Sequence, residues 1–183
     1  MPQSGLYGFP KGFSQSALRD ASILVTSSGD IPWPDGVWYC KAFVQAGGGG
    51  GTNTGSASAG GDSSISYAGV TYTANGGNAG GPANYSTGGN GDITFPGYAS
   101  TSSVGGNSFL GAGGYTSAGI QGGGGGGEQY GGGGGECVLV RISRNVGQNY
   151  LTCVVGSGGA IGNGTSYAGG AGVIFIEWEK TSI

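Results

Sequence analysis

The chain has 183 residues, room for one domain or one domain with a short attachment arm. Forty-eight residues are glycine, 8% are charged, none is histidine, and the net charge is −3. The six Lys and Arg are scattered as Lys11, Arg19, Lys41, Arg141, Arg144 and Lys180, so no basic patch exists to neutralise phosphates, which excludes DNA and RNA as partners.

In chain order, residues 1–30 read as an N-terminal attachment arm without a clear period, carrying Leu6, Tyr7, Phe9 and Phe13 among turn formers. Within it, residues 14–24 suit either a short helix or an extended segment. The arm lacks the basic-then-apolar order of a signal peptide, and no apolar run approaches the roughly 18 residues of a membrane span. We therefore expect synthesis in a cytosol and no membrane insertion. Residues 31–183 read as one glycine-rich domain. Pro34-Asp35-Gly36 is a turn, proline presetting φ and glycine accepting positive values. The strand after it alternates, placing Trp38, Cys40, Ala42 and Val44 on an inward face and Val37, Tyr39, Lys41, Phe43 and Gln45 outward.

Residues 136–155 read as a hairpin turning at Asn145-Val146-Gly147. Val138, Val140 and Ile142 share one face on the way out, and Leu151, Cys153 and Val155 on the way back. The last strand, 173–178, points Ile174, Ile176 and Trp178 inward. The expected fold class is all-β with little regular helix: a small antiparallel sheet or sandwich flanking a glycine-rich body. Cys40, Cys137 and Cys153 are odd in number and unpaired in spacing, which suits small buried hydrophobes better than disulfides or a metal site.

Between Ala42 and Gly135 lie 34 of the 48 glycines, with no Lys or Arg and only Asp62, Asp92 and Glu128 as acids. Clusters such as Gly47–Gly51, Gly122–Gly127 and Gly131–Gly135 follow no Gly-X-Y period, so collagen is excluded. Flexible linkers are one reading. Three features favour order: the tracts lie between strands whose apolar faces must meet, they are too many for linkers, and aromatics punctuate them. The ordered alternative is packed polyglycine-type helices, threefold and extended, rising about 3.1 Å per residue and hydrogen-bonded to one another.

The stretch from Pro34-Asp35-Gly36-Val37-Trp38-Tyr39-Cys40-Lys41-Ala42-Phe43-Val44-Gln45-Ala46 into Gly47–Gly51 resembles the opening of the glycine-rich domain of bacteriophage and prophage tail fibres. Residues 61–77, Gly91-Asp92-Ile93-Thr94-Phe95-Pro96-Gly97, Val154-Val155-Gly156-Ser157-Gly158-Gly159-Ala160 and the closing 169–178 resemble further recurring elements. In those domains the hairpin follows soon after the first glycine block, whereas here it comes late, which leaves the strand order open. The style is similar to that of the distal adhesins of T-even-type phages. The resemblance implies a receptor-binding protein of a virion tail fibre or spike. Its partners would be a bacterial surface protein or glycan and other fibre proteins. It would be a homotrimer or a single copy on a trimeric fibre. A start at Met1 and an end five residues past Trp178 lead us to expect a whole small protein.

An enzyme is not expected, nor any cofactor. Nucleophilic triads lack their histidine. Asp62 and Asp92 stand in Gly-Asp-Ser and Gly-Asp-Ile turns, where aspartate bonds its own backbone, rather than as a glycosidase pair. The long glycine blocks run into Thr52, Glu128 and Glu136, not the Lys of a phosphate loop. Between the tracts the composition is that of antibody loops, rich in Tyr, Ser, Thr and Asn. The expected receptor contacts are Asn84, Tyr85, Phe95, Tyr98, Asn107, Phe109 and Tyr115. A structural virion component without receptor recognition is the alternative. An ice-binding face would need a regular three-residue repeat, which the tracts lack.

Overall fold

The computed structural model describes residues 21–53, 56–80, 86–127, 129–162 and 164–179. Nine strands form among them: β1 (Ser22–Val25), β2 (Gly29–Pro32), β3 (Tyr39–Gln45), β4 (Ser63–Tyr67), β5 (Val70–Ala74), β6 (Ile93–Phe95), β7 (Cys137–Ser143), β8 (Tyr150–Val154) and β9 (Val173–Glu179). They make two sheets, ordered β1-β9-β3-β7-β6 and β2-β8-β4-β5, with every pairing antiparallel and neither closed into a barrel. The fold is all-β, as the alternation implies. Between the sheets lie Cys40, Ala42, Val44, Val138, Val140, Ile142, Ile174, Ile176 and Trp178 from one, and Ile31, Ile65, Tyr67, Leu151 and Cys153 from the other. Of the expected arm 1–30, residues 1–20, with Leu6, Tyr7, Phe9 and Phe13, lie outside the described residues. Residues 21–30 supply β1 and the start of β2.

The hairpin expected at 136–155 does not form. Both strands exist with the predicted inward faces, but β7 pairs with β3 and β6 while β8 pairs with β2 and β4. Residues 144–149 therefore arch from one sheet to the other, so the two apolar faces meet across the core instead of lying side by side. Tyr67 pins this arch. Its hydroxyl accepts from Asn145 N (2.7 Å) and lies 3.2 Å from the carbonyl of Gln148. Its ring packs 5.1 Å from Trp33, which lies 5.5 Å from Trp178. The tight hairpin is β4–β5 instead, turning on Ala68 (φ 49°) and Gly69 (φ 81°), the doubly positive pair of a twisted two-residue turn.

Three side chains depart from the expected alternation of β3. Trp38 is 46% exposed and Val37 fully buried, because the strand starts only at Tyr39 and the turn before it sets a different phase. There Val37 N donates to Pro34 O (3.3 Å), and the Trp33 indole donates to Val37 O (2.7 Å). Gln45, expected outward, is fully buried. Its amide nitrogen donates to the carbonyls of Ala46, Gly135 and Glu136, and its Oε1 accepts from Leu110 N. Glu136 does the same work beside it, Oε2 accepting from Asn75 N (3.1 Å) and Gly89 N (2.8 Å). These two side chains sit where ladder pairing gives way to the glycine body, and they occupy backbone groups that burial would otherwise leave unpaired.

The glycine tracts are packed rods, of which 46–52, 122–127 and 131–136 are buried along their whole length, and most continue the strands. Segment 46–52 extends β3, 75–80 extends β5, 155–162 extends β8, while 58–61, 131–136 and 167–172 run into β4, β7 and β9. Donors along 47–52 change partner with a period of three. Gly47 and Gly50 donate to Gly61 and Ser58, Gly48 and Gly51 to Gly170 and Tyr167, and Gly49 and Thr52 to Gly133 and Tyr130, all at 2.8–3.0 Å. Its carbonyls accept from Gly77 and Gly80, from Gly159 and Gly162, and from Gly125. One rod is thus bonded to six neighbours, three through its donors and three through its acceptors, with the threefold order of an extended polyglycine helix. Rod 122–127 is likewise surrounded, donating to Ile120, Gly106, Gly49, Ser117 and Ser103 in turn. The linker reading does not hold for these tracts.

Such contact leaves no room for a side chain. A Cβ on Gly124 would fall on the carbonyl oxygen of Gly132, whereas one on Gly29 meets nothing within 4 Å. Gly124→Ala should therefore cost about 3 kcal/mol or prevent folding, and Gly29→Ala should stay within about 1 kcal/mol of the native chain, both read by thermal denaturation. The three cysteines are free and buried. Burial foremost pushes the thiols of Cys40, Cys137 and Cys153 up to about 12. A thiol held neutral when folded contributes stability that is intact below its unfolded pKa, near 9, and is lost as pH rises through the folded value. Chemical denaturation midpoints should accordingly fall between pH 9 and pH 12, and a thiol reagent at pH 8 should modify the native protein only as fast as it unfolds.

Candidate functional site

Because rods continue strands, the molecule has two ends. The described chain begins at Ala21, whose carbonyl accepts from Trp178 N (3.0 Å), at the same end of the sandwich as the arch 144–149. At the other end the rods stop together. Thr52 bridges Tyr130, Gly127 bridges Ser166, Gly126 N donates to Ser117 O, and Gly127 N donates to Ser103 O. This distal end holds a cleft of about 420 Å³ lined by Ser103, Tyr115, Thr116, Gly127, Thr165 and Tyr167. Gly127 is buried, while Tyr115 is 61% and Tyr167 37% exposed.

The walls are anchored to one rod. Ser103 is held through its carbonyl by Gly127, the 115–117 turn through Ser117 by Gly126, and Tyr167 donates its own N–H to Gly126 O (2.9 Å). The Asn53 amide lies 3.5 Å from the Thr165 hydroxyl. Backbone bonds that are part of the rod packing therefore set the positions of the lining loops, so the cleft is formed before any ligand arrives. None of these six lining residues is charged. What they offer is two amphipathic rings and three hydroxyls that can donate or accept.

The expected contact residues do not converge. Tyr115 lies in the cleft. Phe95 and Phe109 stack on each other at 4.2 Å, and Phe109 on Phe43 at 6.0 Å, so these rings cover the outer face of the first sheet near Phe175. Tyr98 is 65% exposed on a rod flank, its N–H bonded to Asn107 O. Asn107 uses its side-chain oxygen to accept from Gly113 N (2.9 Å). Asn84 and Tyr85 lie outside the described residues. Thr116 ends the expected contact loop 114–116, whereas Ser103, Thr165 and Tyr167 were not singled out by sequence reasoning. Thr165 and Tyr167 lie between Gly164 and Gly169, and only rod register brings them to Tyr115.

The aspartates are not paired with each other. Asp62 accepts from Gly76 N (2.8 Å) and Asp92 from Arg141 N (2.7 Å). Each caps a backbone amide of a neighbouring segment, not of its own turn as expected. Among the described residues no group of three His, Cys, Asp or Glu could hold a metal ion, and no helix is long and apolar enough to cross a membrane. Compared with known proteins, the chain matches no family model, no curated protein and no solved structure.

Proposed function

We propose that this chain is a non-enzymatic adhesin of a bacteriophage tail fibre or spike, which binds a bacterial surface receptor through the distal ends of its glycine rods. The observation that carries the reading is the preformed cleft held between rod ends, without a charged residue in its described lining, at the far side of the molecule from Ala21. Tyrosine and hydroxyl side chains on a backbone-bonded support supply contact area at small entropic cost, the physics used by antibody loops. In this reading the part of the expected arm that precedes β1 joins the protein to the rest of the fibre, and the mature protein resides in the virion. It stands there as a single copy on a trimeric fibre or as a homotrimer, without nucleic acid, cofactor or membrane insertion.

The test is binding of fluorescently labelled protein to a panel of bacterial strains. Saturable, strain-selective binding that is weakened by Tyr115→Ala is expected. A protein that is folded by circular dichroism yet binds no strain overturns the adhesin reading and leaves a structural virion component.

A further inference from the structure

We infer that the distal cleft is a binding site for an uncharged saccharide unit; this rests on the adhesin reading and names the chemistry its receptor presents. The volume, about 420 Å³, falls in the range of small-ligand sites and suits a short stretch of a glycan. The described lining fits a sugar in kind. A pyranose has a C–H face that packs on an aromatic ring, and Tyr115 and Tyr167 present two such rings, both exposed. Its hydroxyls each donate and accept, and so do those of Ser103, Thr116 and Thr165.

Charge settles the class of sugar. An acidic saccharide would leave water for a cleft whose described lining holds no Lys, Arg or His, and an unpaired charge is costly to desolvate. Lys41, Arg141 and Arg144 belong to β3, β7 and the arch, in the sandwich and not at the rod ends. A protein loop is the poorer occupant. A stable protein contact buries about 800 Å² on each side around a desolvated apolar centre. The distal cleft instead gathers hydroxyls around two amphipathic rings.

The pose assigned is a pyranose lying against Tyr115 and Tyr167 over the backbone of Gly127, with its hydroxyls toward Ser103, Thr116 and Thr165. Tyr167 is the more telling residue, because its N–H bond to Gly126 is a backbone bond that survives side-chain removal.

The experiment uses the full chain on an array of neutral hexose and N-acetylhexosamine oligomers beside oligomers bearing uronic or sialic acid, run in parallel with the strain panel. Neutral oligomers should be retained and acidic ones not. Tyr167→Ala and Tyr115→Ala should each weaken retention about tenfold, Tyr167→Phe should keep most of it, and Tyr150→Ala, at the opposite end, should change nothing. Melting temperatures of the variants separate lost binding from lost folding. Strain binding without retention of any oligomer overturns the saccharide inference and leaves the adhesin reading with a protein receptor. Retention of neutral oligomers without strain binding supports the cleft and removes the adhesin reading. Equal retention of acidic oligomers, or retention indifferent to both tyrosines, overturns the inference.

Discussion

Two extended backbones can bond to each other along their whole length only if nothing stands between them. At Gly48, Gly49 and Gly124 the position of a Cβ is already taken by a carbonyl oxygen of the next rod. Glycine is therefore required here for its missing side chain more than for its freedom to turn. It gives up more conformational entropy on ordering than any other residue, so each rod is tenable only when its neighbours are in place. Segment 46–52, bonded to six other segments, shows what offsets that loss: its donors and acceptors find partners in six directions, repeating every third residue. The body has to form as a unit.

The sandwich makes such a unit reachable. Strands β3, β7, β8 and β9 are ordinary alternating segments that bury apolar side chains, and each is continuous with a rod. Strand pairing sets which rods are adjacent and at what register before the glycines have anything to hold them. Gln45 and Glu136 secure the transition, since the ladder stops there and the rod bonds start. The opposite ends of the same rods have no strand to continue into, and their loops gather around Gly126 and Gly127. The cleft is where the regular packing runs out.

Much of this was legible in the sequence, for a physical reason. Val138, Val140 and Ile142, or Ile174, Ile176 and Trp178, lie at a period of two with polar residues between them, and that pattern reports which face is buried. It does not report which strand lies alongside. The Asn145-Val146-Gly147 turn suits a hairpin and an arch alike, and the choice is made by the Tyr67 hydroxyl, 78 residues away in the chain. Trp38 and Gln45 are errors of extrapolation at the two ends of β3, where the alternation no longer governs. Glycine blocks carry no face at all, so the sequence held no sign of which rods touch. Hence nothing in the sequence set Tyr115 beside Tyr167, or Phe109 over Phe43 and against Phe95.

The central claim, that the glycine tracts are a cooperative hydrogen-bonded solid, is tested most directly by hydrogen exchange at the amides of Gly47–Gly51 and Gly123–Gly127. Those N–H groups donate to carbonyls of other segments, so they should exchange as slowly as the β3 amides, through unfolding of the whole domain. Exchange at the rate of an unstructured chain, with β3 still protected, would mean that the tracts are linkers and would contradict the account.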